Sequence, residues 1–168
     1  MRVIDPARPV AVAAIRRLFL AGCLSMPALA AAQSCTVAAT ALALGNYNPA
    51  SPTPKDASGS VTVTCAANPL ALLLGYTVAL STGGSGSYAA RRLSSGANTL
   101  AYQIYSNASR TTVWGNGSGG SSVVNGGLLL GLFAPVSATY TVYGRLPAGQ
   151  GAAAAGAYAD VIVVTVAY

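Results

Sequence analysis

Ser60-Val61-Thr62-Val63-Thr64-Cys65-Ala66 alternates apolar and hydroxyl-bearing side chains without a break. Successive side chains of a strand point to opposite faces, so Val61, Val63 and Cys65 share one face. Working outward, similar runs recur at intervals typical of a β-sandwich. Residues 35–44 are extended up to the turn Gly45-Asn46-Tyr47-Asn48-Pro49. Pro52 and Pro54 mark residues 51–58 as a loop, and residues 74–81 form a strand closed by Thr82-Gly83-Gly84-Ser85-Gly86. Strands are expected at 91–93, 100–105 (Leu100, Tyr102 and Ile104 on one face), 111–114, 123–132, 139–146 and 158–168. Residues 115–120 read as a glycine-rich turn and 147–156 as a small-residue loop. No linker, charge block or internal repeat divides them, so they make one all-β domain.

Composition agrees. Apolar residues are 53% of the 168 and charged residues 7%, so a core is easily buried and disorder is excluded. Glu and His are absent, and Ala, Val, Thr, Ser and Tyr dominate beside 19 glycines. Solvated helices draw on Glu, Lys, Arg and Gln, and strands do not. The net charge of +6 owes much to Arg2, Arg8, Arg16 and Arg17, which precede an apolar run at residues 18–32. Beyond it Lys55, Arg91, Arg92, Arg110 and Arg145 face Asp56 and Asp160, a scattered net of +3. That is no stripe for tracking phosphates, so nucleic acid is not an expected partner.

Arg16-Arg17, the apolar stretch and Ala28-Leu29-Ala30 or Ala30-Ala31-Ala32 have the layout of a secretory signal. Residues 1–32 are read as a removed signal peptide and 33–168 as the mature domain, with no integral membrane segment. Leu20-Ala21-Gly22-Cys23 also matches a lipobox, which would lipidate Cys23, but five residues between Arg17 and Cys23 make a short apolar region. Arg16-Arg17-Leu18-Phe19-Leu20 resembles a twin-arginine signal. Each route exports the chain. Once Cys23 leaves, Cys35 and Cys65 remain. With no His and no C-x-x-C, one disulfide is the expectation. Its thirty-residue loop is worth about 3–4 kcal/mol on the chain-entropy estimate.

Catalysis lacks its parts. The usual general bases are missing, and a glycosidase-type pair would need Asp56 and Asp160 together. Asp160 opens a strand and Asp56 follows prolines, so capping or turn roles are expected of both. The run Gly115-Asn116-Gly117-Ser118-Gly119-Gly120 lacks the lysine of a phosphate loop. No catalytic residue, metal or cofactor is expected. Tyr102, Tyr105, Trp114, Tyr140 and Tyr143 could form a carbohydrate platform, giving the alternative of a self-contained sugar-binding sandwich. For Trp114 and Tyr102 the core is the expected place.

In residues 158–168, Ile162, Val164, Val166 and Tyr168 occupy one face and Val161, Val163, Thr165 and Ala167 the other. A strand apolar on both faces belongs inside a sheet. At a sheet edge it is an aggregation hazard unless another chain covers it.

Several segments resemble the spore coat protein U domain, shared by archaic chaperone–usher pilus subunits. They are Cys35-Thr36-Val37, Val61-Thr62-Val63-Thr64-Cys65, Leu100-Ala101-Tyr102-Gln103-Ile104-Tyr105 and Trp114-Gly115. Tyr140-Thr141-Val142-Tyr143-Gly144-Arg145-Leu146-Pro147-Ala148-Gly149-Gln150 and Gly156-Ala157-Tyr158-Ala159-Asp160 complete the set. Asn107 and Asn116 depart from it, standing where the resemblance leads one to expect acidic residues.

The resemblance implies an immunoglobulin-like sandwich lacking its last strand. A periplasmic chaperone, then the next subunit of a fibre assembled at an outer-membrane usher, would supply that strand by β-strand addition. The acceptor groove maps to Ile162, Val164, Val166 and Tyr168. Cleavage after Ala32 leaves Gln33 and Ser34 before Cys35, too few for a donor strand of ~17 Å. A fibre tip or a surface-coat protein is therefore expected, with residues 70–74 and 128–133 as apolar contact loops.

Overall fold

The computed structural model describes residues 34–68 and 73–168, which belong to one compact unit, Ala32–Tyr168. The signal-peptide and Cys23 expectations lie outside the described residues. Among the described residues nine strands occur, β1(Cys35–Thr40), β2(Lys55–Cys65), β3(Leu73–Leu80), β4(Arg92–Ser95), β5(Asn98–Ala101), β6(Gln103–Tyr105), β7(Val124–Leu129), β8(Val136–Leu146) and β9(Val164–Ala167). One sheet runs β1-β2-β8-β6, a second β7-β3-β9, and β4-β5 form a hairpin. Every strand pairing is antiparallel. The fold is an all-β, immunoglobulin-like sandwich with one disulfide, Cys35–Cys65.

The alternating stretch lies in β2, where Val61, Val63 and Cys65 are buried against Val78 and Leu80 of β3. Trp114 is wholly buried, and its indole donates to the Val78 carbonyl at 3.0 Å. Tyr76 and Tyr140 join β3 to β8 through their hydroxyls, 2.7 Å apart, with rings edge to face. Burial and this bond hold the Tyr76 phenol's pKa far above its ordinary value. Arg91 is fully buried, donating to Gln103 Oε1, the Ser81 carbonyl and the Trp114 carbonyl while lying over Tyr88.

Five expectations are corrected. β2 begins at Lys55, inside the expected loop, because residues 55–58 pair with 143–146 of the long strand β8. Asp56 is accordingly a strand residue paired with Arg145, not a turn residue. β1 ends at Thr40, whose hydroxyl accepts the Ser60 amide at 2.8 Å, and residues 41–48 leave the sheet. Residues 111–114 make isolated bridges only, Val113 to Tyr105 and Trp114 to Ser122. The terminal strand is shorter than the expected 158–168: β9 is four residues long, and it pairs on one side, with β3, leaving the open edge that the resemblance implies.

Candidate functional site

The two sheets leave two edges facing each other, β1 on one and β9 on the other. Ser81 donates its amide to the Val163 carbonyl at 2.9 Å, and Val163 donates to Ser81 Oγ at 2.9 Å. Main-chain groups alternate in direction along a strand, so those of Ile162, Val164 and Val166 turn to the open edge. Among the described residues no strand pairs there.

β1 tells the same story from its side chains. Val37 lies directly opposite Val63, and opposite residues share a face. Yet Val63 is fully buried and Val37 is 40% exposed. Its inward face lacks a covering layer.

Between these edges lies a cavity of about 1080 Å³. One wall is residues 39–47, the continuation of β1, and the other is residues 153–160 with Ile162 and Val164. The floor is core, including Val61, Leu80, Leu100, Tyr102, Ile104 and Val142. Leu42 rests where a Cβ on Gly144 would stand, so that glycine admits the wall. Tyr47 pins the wall's end by donating to the Pro147 carbonyl at 2.6 Å. Asp160 fixes the opposite wall: its carboxylate accepts from the Gly84 amide (2.8 Å), the Val161 amide (2.8 Å) and the Tyr102 hydroxyl (2.6 Å). Burial, and then this bond, push the Tyr102 phenol's pKa far up. At the disulfide end the gap narrows, where Cys35 donates its amide to the Tyr168 hydroxyl at 3.2 Å.

Of the four residues assigned to the groove from sequence, Ile162 and Val164 line the cavity. Val166 packs on the core beside it, and Tyr168 is 53% exposed. Sequence reasoning missed the wall at 41–47 and the floor around Leu93 and Leu100. The alternation Ala41-Leu42-Ala43-Leu44 was its visible signal, since Leu42 and Leu44 turn inward.

Asp56 and Asp160 have separate partners. Asp56 takes a bidentate bond from Arg145 (2.7 and 2.9 Å) and an ion pair from Arg110 at 3.3 Å. The Arg145 bond, with the charge of Arg110, draws its pKa below the ordinary carboxylate value. Of the five aromatic candidates, Trp114 and Tyr102 are buried and Tyr140 is bonded to Tyr76, which leaves no five-ring platform. Among the apolar loop candidates, Leu128 is buried, whereas Leu73, Leu129 and Phe133 are 75%, 68% and 95% exposed. Residues 69–72 lie outside the described ones. No described helix is long and apolar enough to cross a membrane.

Residues 22–165 match the family described as Spore Coat Protein U domain. No curated protein matches. Among solved structures, a chain is similar in the crystal structure of the CsuC–CsuE chaperone–tip adhesion subunit pre-assembly complex, from archaic chaperone–usher Csu pili of Acinetobacter baumannii. The TM-score is 0.52 at 20% identity, covering 82% of the present chain and 40% of that one. The likeness is one of fold, and the present chain spans well under half of that neighbour's length.

Proposed function

The chain belongs to the Spore Coat Protein U domain family, and from that premise we propose that it is an exported structural subunit of a chaperone–usher surface fibre. It works by assembly and not by catalysis. A periplasmic chaperone first lays a strand along β9, and another subunit's strand replaces it at the outer-membrane usher. The acceptor is the cavity between β1 and β9, with Ile162 and Val164 inside it and Val166 and Tyr168 towards its disulfide end.

The observation that carries this reading is the pair of open sheet edges flanking an apolar cavity of about 1080 Å³. An added strand offers main-chain partners to the β9 edge and alternate side chains to the cavity floor. The expected test is refolding of the exported, disulfide-intact chain, alone and with an extended apolar peptide. Alone it self-associates, and the peptide yields a monomer with a higher unfolding midpoint. A monomer that is soluble, cooperative and indifferent to peptide overturns the reading.

The domain assignment, 1–32 removed and 33–168 mature, belongs to the same proposal. With that cleavage, two residues precede Cys35, which favours a place at the fibre end and makes the exposed Leu129, Leu132 and Phe133 a contact surface. N-terminal sequencing of the exported protein decides it: a start before residue 28 restores a possible donor strand and removes the argument for the end position.

A further inference from the structure

The proposal concerns which strand the groove selects, and it rests on the reading that the groove accepts one. Val161 and Val163 alternate with Ile162 and Val164 and point away from the cavity. They are 79% and 59% exposed. On the β3 side the outward neighbours are Ser81, bonded to Val163, and Ala79, opposite Thr165. Neither is long enough to cover a valine. These two side chains therefore form an apolar strip along the outer lip of the open edge, on the face opposite the groove.

A strand added to that edge places side chains directly beside them, because opposite residues on paired strands share a face with Cβ atoms about 4.5–5.5 Å apart. The outward face of a half-exposed sheet is ordinarily polar. Here a polar neighbour leaves both valines wet, whereas a β-branched one covers them. We propose that the partner segment is apolar on both faces where it passes Val161 and Val163: inward residues fill the cavity, and β-branched outward residues cover this lip. The partner thus carries a continuous apolar run there, not an alternating one.

Two synthetic peptides of about ten residues, a typical strand length, separate the outcomes. Both carry Val, Ile or Leu at inward positions. One has Ser at all outward positions, and the other has Val at the two that pass the lip. Affinity for the refolded full exported chain is read by fluorescence anisotropy. The expected result is about three- to tenfold tighter binding of the Val-bearing peptide, from two cross-strand pairs. That advantage disappears in the Val161→Ser, Val163→Ser double variant, whose unfolding midpoint without peptide stays near wild type because both positions are exposed. Equal binding of the two peptides to the wild-type chain overturns this inference and leaves the groove intact. Failure of both to bind overturns the groove reading itself.

Discussion

Arg91 is a guanidinium enclosed by neutral partners: an amide oxygen, two main-chain carbonyls and the Tyr88 ring. Burial lowers its pKa from the ordinary value. Its planar fork reaches Gln103 through one terminal nitrogen and the Ser81 and Trp114 carbonyls through the other, a span that a point-like ammonium does not cover. Arg91→Met strands both carbonyls and is expected to destabilise by about 2–3 kcal/mol in urea titrations, with Arg91→Lys no rescue. Asp56 supplies the opposite case, exposed and acid-sensitive. Its pKa is lowered in the folded state, chiefly by the Arg145 bond. Its stabilisation is therefore present above the unfolded carboxylate value near 4 and fades as pH falls through the folded value. Asp56→Asn should lose about 0.5–1 kcal/mol at neutral pH, a difference that closes in thermal melts run towards pH 2. Residue identity also explains the two departures from the family pattern. Asn107 Oδ1 accepts the Thr111 and Thr112 amides, and Asn116 Oδ1 accepts the Ser118 amide. An amide oxygen performs the acceptor's part of a carboxylate in these turns.

Among elements, β2 shows what local pattern can and cannot disclose. Residues 60–65 declare a strand by alternation, whereas Lys55-Asp56-Ala57-Ser58 declare nothing. Their strand state is imposed by β8, which pairs along all eleven residues of β2. Tertiary context overrides propensity there. The terminal run is ambiguous instead. Its apolar content on both faces left an internal strand and an uncovered edge equally open, because composition records what a strand wants and not whether a neighbour is present. Ile162 and Val164 could be assigned to a groove from sequence, but the wall of residues 41–47 could not, because its position depends on where β1 leaves β2. That wall is testable through Gly144, against which Leu42 packs. Gly144→Val should displace Leu42 and cost about 1–3 kcal/mol by overpacking. Peptide affinity should fall with it, whereas Gly117→Ala in the exposed turn leaves affinity unchanged.

Over the whole molecule, charge gathers at one end beside the exposed Val161, and the exposed Leu73, Leu129 and Phe133 gather at the other. Lys55, Asp56 and Arg145 lie at the ends of β2 and β8 remote from the disulfide, and Asp160 bonds Gly84 beyond the end of β3. Leu73, Leu129 and Phe133 are exposed at the other end, beside the Cys65–Val136 pair. The disulfide sits at that end too, joining directly opposite residues of β1 and β2. Its consequence is mechanical. Tension applied at the amino end enters at Cys35 and crosses at once to Cys65 through a covalent bond. The segment between them, closed by a bridge of sequence separation 30, bears no load, and neither does the β1–β2 ladder. In a pulling experiment the oxidised domain should unfold with a contour gain shorter by about 100 Å than the reduced one, at ~3.3–3.6 Å per residue. Equal gains in both redox states would show that the load takes another path. A domain pulled from its amino end transmits traction past the wall of its own groove, so such a load need not peel that wall open.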